Sequence, residues 1–259
     1  MSAAQPDSRG LRPARSAAGG SGERHPVVLR LAAVQRRVAA AAERAGRARS
    51  AVTLVAVSKG FGVDHVAAAW RAGQYDFGES RVQELAAKAP RLEAGLRWHF
   101  VGRLQRNKVK QVVDLASLIH SIDRIELAEA VAERARRRAR VQRVLVQVNA
   151  GEDPAKGGCR PEDAPSLVAG VRGLHGIACQ GLMTIPPLHA DPRPTFKTLR
   201  ALRDELQARF PEVRHLSMGM SDDFEVAVEE GATIVRLGEA VFGPRPLTAP
   251  AQPGGTDPE

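Results

Sequence analysis

The sequence predicts a single-domain α/β fold, an eight-stranded parallel (β/α)8 barrel of the TIM type with one extra helix in front. Three observations carry this. Eight short apolar, β-branched runs follow one another between residues 27 and 243. Amphipathic stretches separate them, and no linker-like break in composition interrupts the series. Periodicity alone leaves an open doubly wound sheet as the other arrangement of the same alternation.

The elements follow in order. Residues 1–25 are Ser, Ala, Gly, Arg and Pro with little to bury, and read as a disordered tail. Asp7, Glu23 and the breaks at Pro6, Pro13 and Gly19-Gly20 argue against an organelle-targeting helix. Val27, Leu31, Val34 and Val38 stand at helical spacing, and that helix stops at Gly46. The strand candidates are 54–58, 75–79, 97–102, 118–122, 144–149, 177–184, 213–218 and 234–238. Helical patterns lie between consecutive runs, among them 63–72, 125–138, 161–171, 194–210 and 222–230, and a short helix follows at 239–242. The barrel therefore spans 26–243, and the Pro- and Gly-rich segment 244–259 is a second tail.

Composition removes several functions. No run of 18 apolar residues exists, so no membrane-spanning helix is expected. Cys159 and Cys179 are too few for a disulfide framework and read as reduced thiols of a cytoplasmic protein. The seven histidines show no paired spacing and no C-x-x-C occurs, so no metal is expected. His99 and His120 read as hydrogen-bonded core residues, and Trp98 and Phe100 as outward packing under the helices. The net charge of +9 invites a nucleic-acid reading. Its densest part, the arginine-rich 134–140, fits a solvated outer helix face with Glu129 and Glu133 as i,i+4 partners. With one Tyr and two Trp there is little for bases to stack on, so no nucleic acid is expected. Arg103, Arg106, Lys108 and Lys110 follow the third strand near the barrel mouth and would suit an anion.

In such a barrel the site lies at the C-terminal strand ends. Lys59 closes the first strand and is one of only six lysines among 38 cationic residues. Lysine can lose a proton when partly desolvated and attack a carbonyl, which arginine cannot do; the plain alternative is a surface lysine. The seventh strand ends in Ser217-Met218-Gly219-Met220-Ser221, with hydroxyls and closely spaced N–H groups before a helix. That is an anion site in form, although Ser221 would also serve as a simple N-cap. Gly238 opens a short helix after Arg236, which completes the usual phosphate position of these barrels. Asp223 stands where a Gly-x-Ser-x-Gly elbow needs its last glycine, so a hydrolase is set aside. An amine facing a phosphate cradle points to a phosphorylated aldehyde, pyridoxal 5′-phosphate, with Arg236 toward the ring nitrogen.

The run Trp98-His99-Phe100-Val101-Gly102-Arg103-Leu104-Gln105-Arg106-Asn107-Lys108 carries a family likeness. So do Val55-Ala56-Val57-Ser58-Lys59, Phe77-Gly78-Glu79, Val82-Gln83-Glu84 and Val235-Arg236-Leu237-Gly238. Over residues 27–243 the chain resembles the pyridoxal phosphate homeostasis protein family, fold-type III relatives of the alanine racemase barrel. The resemblance implies that Lys59 holds the cofactor as an internal aldimine. It places the phosphate near Ser217, Gly219, Met220, Ser221 and Gly238, with Arg236 in the same pocket. Ser80 stands where the family commonly has Asn, which leaves that residue's ring contact open. The implied role is a non-catalytic carrier: storing the cofactor, limiting free aldehyde and supplying apo-enzymes, as a monomer. The alternative is a racemase-like enzyme. It would need a second base, a tyrosine supplied by another domain or subunit in the racemases. The chain's single tyrosine, Tyr75, starts the second strand at the wrong end, and the residues for a second domain are not there.

Overall fold

The computed structural model describes residues 25–244. The expected tails, 1–25 and 244–259, lie outside them except for His25 and Pro244. His25 belongs to the folded body: its Nδ1 accepts from the Val27 N–H at 3.3 Å and caps the first helix.

The eight strands are β1 Thr53–Val57, β2 Asp76–Glu79, β3 Arg97–Phe100, β4 Leu118–Ile122, β5 Gln142–Gln147, β6 Ile177–Met183, β7 His215–Ser217 and β8 Ile234–Leu237. All pair in parallel with their sequence neighbours, and β1 pairs with β8. The sheet is thus a closed barrel, and closure rules out the open doubly wound alternative. Closing it removes every unpaired strand edge.

Helix α1, Pro26–Arg44, is the extra helix, and its buried stripe is Val27, Leu31, Val34, Val38, Ala41 and Ala42. The barrel helices are α2 Val63–Arg71, α3 Val82–Lys88, α4 Val109–Leu115, α5 Ile125–Arg137, α6 Ala164–Arg172, α7 Arg193–Arg209, α8 Phe224–Glu229 and α9 Glu239–Phe242. Among the described residues no helix is long and apolar enough to cross a membrane.

Two apolar regions result. The larger lies between sheet and helices and holds Trp98 and Phe100, which face outward as expected. The smaller fills part of the barrel interior with Val55, Val57, Leu118, Leu145, Met183 and Ile234. Barrel interiors are usually packed by such aliphatic side chains. Here Asp76, His99, His120, Ser217 and Arg236 occupy the rest, all buried and linked by hydrogen bonds.

The arginine run at 134–140 is less solvated than its composition implies. Arg134 pairs with Asp114 of α4 through both carboxylate oxygens, and Arg138 also reaches Asp114. Arg140 donates to the carbonyls of Val113 and Ala116, while Arg137 pairs with Glu133. Only Glu133 of the two expected acidic partners takes part in these pairs. The run staples α5 to the end of α4, which spends much of the charge a nucleic acid would need.

Candidate functional site

At the C-terminal end of the barrel a pocket of about 280 Å³ is lined by Val57, Lys59, Phe61, Ser80, Met220 and Ser221, among others, with Arg236 and Gly238 on the β8 side. Its size is near the lower end of small-ligand sites, roughly 300–1,000 Å³. The structure therefore brings Lys59, Ser80, Met220, Ser221, Arg236 and Gly238 to one place. Ser217 and Gly219, expected with them, do not line it.

Ser217 is fully buried beneath the pocket, and its hydroxyl is taken by His120 and Arg236. Gly219 serves the turn. Its φ is +94°, and a Cβ there would lie 2.6 Å from the Ala227 Cβ. Gly219 also accepts the Arg236 N–H at 3.0 Å, which ties the turn to β8. Helix α8 starts at Phe224, later than the sequence pattern places it, because Asp223 turns its Oδ1 back onto the Met220 N–H at 2.6 Å. Ser221 does not cap α8; its Oγ accepts from the Ala240 N–H of α9 at 3.2 Å. The backbone N–H groups of Ser221, Asp222, Gly238 and Glu239 have no hydrogen-bond partner among the described residues. Gly238 lets β8 and α9 approach β1 closely: a Cβ there would stand 3.2 Å from the Val57 carbonyl oxygen, tighter than an ordinary contact. These donors, all on residues that line the pocket, form a cradle suited to an anion.

Lys59 is exposed at the mouth, so the partial desolvation expected of it is not present. Its position is nonetheless tightly held. The Ser58 carbonyl accepts from the buried Lys88 ammonium at 2.8 Å, the Ser58 hydroxyl donates to Glu79 Oε1 at 2.6 Å, and the Gly60 N–H donates to Glu84 Oε2 at 2.7 Å. Both neighbours of Lys59 are thus clamped from α3 and β2. Burial pushes the Glu79 carboxyl up, and Lys88 works against that shift. Sequence reading missed Lys88, although the rarity that singled out Lys59 applies equally to it. Gly102 belongs to the same frame: a Cβ there would lie 2.0 Å from the Ser80 carbonyl oxygen, so only glycine allows the β3 end to approach the β2 end.

Arg236 is buried, and among the described residues no carboxylate lies within ion-pair distance of it. Burial lowers its pKa to about 10, with Asp223 opposing, so it remains a cation at neutral pH. Nη1 donates to Ser217 Oγ at 2.8 Å and Nη2 to the Thr184 carbonyl at 3.0 Å, which uses two of the five guanidinium donors. A buried cation without a carboxylate is expensive. Facing a pocket, it is a receptor for an electron-rich or anionic group.

His99 and His120 are placed as expected, hydrogen-bonded in the core. The two thiols are free, and burial pushes Cys159 up to about 12 and Cys179 to about 11, so neither is a ready nucleophile. The basic cluster after β3 divides: Arg103 and Arg106 share a separate recess with Arg124, and Lys110 lies in a groove against α5.

A closed parallel barrel with a lysine at the end of β1 and an anion cradle after β7 and β8 defines the alanine racemase barrel class. Residues 29–246 match the family described as the alanine racemase N-terminal domain. The chain belongs to the pyridoxal phosphate homeostasis protein family. It is 46% identical over 221 residues to the pyridoxal phosphate homeostasis protein of Aquifex aeolicus, covering 83% of this chain and 97% of that one. The Pseudomonas aeruginosa protein of the same name is 39% identical over 222 residues, 85% of this chain and 96% of that one. Among solved structures, PipY of Synechococcus elongatus with PLP bound superimposes with a TM-score of 0.75 at 34% identity, over 84% of this chain and all of PipY. The alanine racemase of Clostridium difficile shares the fold at 13% identity and TM-score 0.67, and the match covers 57% of that chain.

Proposed function

We propose that the pocket binds pyridoxal 5′-phosphate and that the protein is a non-catalytic carrier of it. The observation that carries this is Arg236, a buried cation without a carboxylate partner, in the same pocket as an amine and an unspent set of backbone donors. The likeness to PipY with PLP bound supports it. When bound, the cofactor supplies an aldehyde that condenses with a primary amine. Lys59 offers that amine. Ser221, with the free N–H groups of Ser221, Asp222, Gly238 and Glu239, would hold the phosphate, and Arg236 would direct its spare donors to the ring. Ser80, which lines the pocket, would offer the cofactor a hydroxyl in place of an amide. Because Lys59 is exposed, its reactivity arises from an aldehyde held beside it rather than from desolvation.

Carriage is favoured over racemization by what surrounds the amine. Tyr75 lies just before β2, at the opposite end of the barrel, with the Arg97 guanidinium over its ring at 5.9 Å. It cannot serve as a second base at the mouth. An open mouth also lets water and amines exchange. In this reading the protein is a cytoplasmic monomer that passes the cofactor to apo-enzymes. Incubation with pyridoxal 5′-phosphate should give a near-visible absorbance band, and borohydride reduction should leave a mass adduct on the peptide containing Lys59. Lys59→Ala should give neither, with its fold intact. A colourless wild type would refute the assignment, and rapid exchange between L- and D-alanine would replace the carrier with an enzyme.

A further inference from the structure

A chain of hydrogen bonds crosses the barrel interior from its floor to the pocket. The Arg236 Nη1 group is 2.8 Å from Ser217 Oγ, Ser217 Oγ is 2.8 Å from His120 Nδ1, His120 Nε2 is 2.9 Å from His99 Nδ1, and His99 Nε2 is 3.1 Å from Asp76 Oδ1. At the floor the Arg97 guanidinium grips both oxygens of Asp76 at 2.6 and 2.7 Å. Every link is buried, so each polar atom must find its partner within the chain.

The two ends fix the direction. An ionised Asp76 only accepts, so His99 Nε2 carries a proton and donates to it. At the other end Ser217 Oγ accepts from Arg236, so its own proton goes to His120 Nδ1; His120 therefore donates from Nε2 and His99 Nδ1 accepts. His120 Nδ1 in turn accepts from the Ser217 hydroxyl, which keeps its lone pairs for the Arg236 N–H. Arg236 is donor only, so the chain has one consistent direction and every link in it pairs a donor with an acceptor. The charged or titratable groups facing it are Arg97 on β3, His215 on β7 and Asp223 beside Arg236.

We infer that Asp76, His99, His120 and Ser217 are positioning residues for Arg236, orienting its guanidinium toward the ring of the bound cofactor. This rests on the pyridoxal 5′-phosphate reading. The Ser217 hydroxyl fixes one Nη group and the Thr184 carbonyl the other, so the plane of the guanidinium has little freedom to rotate. The chain continues to Arg97 at the far end of the barrel, and nothing in the pocket itself requires that extension except a fixed tautomer at His120.

Two measurements test it. In the protein without added cofactor, nitrogen-15 NMR of labelled histidines should find His99 and His120 both as Nε2–H tautomers at neutral pH. A Nδ1–H or doubly protonated His120 overturns the direction of the chain. In the protein loaded with pyridoxal 5′-phosphate, Ser217→Ala should shift the absorbance maximum and its pH midpoint. It should also weaken cofactor affinity by up to about tenfold, the worth of one hydrogen bond. His99→Gln, remote from the pocket, should move the same spectrum in the same direction, which a purely local packing defect would not do. A wild type that colours while both variants keep its spectrum and pH midpoint sinks the positioning role alone. A wild type that stays colourless sinks the cofactor assignment and this inference together.

Discussion

The Lys88 ammonium, buried behind the barrel wall, lies 2.6 Å from Glu79 Oε1. It also donates to the Ser58 carbonyl at 2.8 Å, so an ion pair hidden between β2 and α3 sets the backbone that carries Lys59. Glu79 has no exposed surface, and among the described residues its second carboxylate oxygen has no partner. Such a pair adds little over a well-packed apolar pair, but breaking it from one side leaves a charge stranded. Lys88→Met should therefore destabilise the fold by about 3–5 kcal/mol in urea titrations. The double variant Lys88→Met with Glu79→Leu should recover much of that loss while still loading cofactor poorly, because Ser58 has lost its anchor. A double variant as unstable as the single one would mean that the clamp on Ser58, rather than the stranded charge, dominates stability.

The interior chain also sets acid sensitivity, in two windows. Burial works to raise the Asp76 carboxyl, but hydrogen bonds from His99 and Arg97 bring it down from 3.8 to about 2. A depressed carboxyl contributes stability that is present above the unfolded value and lost as pH falls through the folded one. The contribution, about 2 kcal/mol, should vanish between about pH 4 and pH 2. Burial lowers His120 well below 6.5, with His99, Arg236 and His215 adding to the effect. The unfolded chain takes up a proton below 6.5 that folded His120 refuses, so stability should decline there by about 1.4 kcal/mol per pH unit for this residue. His65 and His215, also lowered by burial, act in the same direction. Urea unfolding across this range should show His120→Asn with a slope shallower by about one proton. An unchanged slope would refute neutral burial of His120.

How much of this was legible depended on distance along the chain. The strands and the long helices α1, α5 and α7 announce themselves, because their apolar periods run for several turns or alternate cleanly with turn residues. Helices α3 and α4 are only seven residues each, too few for a period to stand out, and the sequence pattern did not mark them. The pocket was readable wherever one residue's chemistry was enough: a rare lysine, a glycine, a serine run. Ser217 was misplaced for the opposite reason. Its partner His120 is 97 positions away, and no local pattern tells a serine pointing into the pocket from one pointing beneath it. Lys88 was overlooked although Glu79 and Glu84 both sat in recognised motifs, since pairing through space is not a spacing rule.

Gly238 separates ligand space from folding. A methyl group there would meet β1, 3.2 Å from the Val57 carbonyl, a contact relieved only by a shift of a few tenths of an ångström in the backbone. Its backbone φ is −100°, which alanine adopts freely. Gly238→Ala should thus keep its unfolding midpoint within the range of mild substitutions, about 1 kcal/mol. It should lose at least about tenfold in cofactor affinity, since relieving that contact moves the Gly238 and Glu239 N–H donors. Calorimetric titration with pyridoxal 5′-phosphate and with inorganic phosphate would report both, and equal affinity for wild type and variant would move the phosphate away from α9.

Arg236 offers the sharpest separation of stability from binding. A buried guanidinium lacking a carboxylate partner costs desolvation, and burial already draws its pKa to about 10. Arg236→Met removes that cost and keeps an apolar stem of similar length in the barrel. What it forfeits is two hydrogen bonds, one to Ser217, which can still donate to His120, and one to the Thr184 carbonyl. These losses are about 1 kcal/mol each. The balance puts the variant within about 2 kcal/mol of wild type, or above it. If Arg236 served only the fold, the variant would be strongly destabilised and its residual cofactor binding would scale with the folded fraction. The arrangement here requires the reverse: a chain that unfolds at nearly the same urea concentration yet binds pyridoxal 5′-phosphate more than about tenfold more weakly, with Lys59 still present to react.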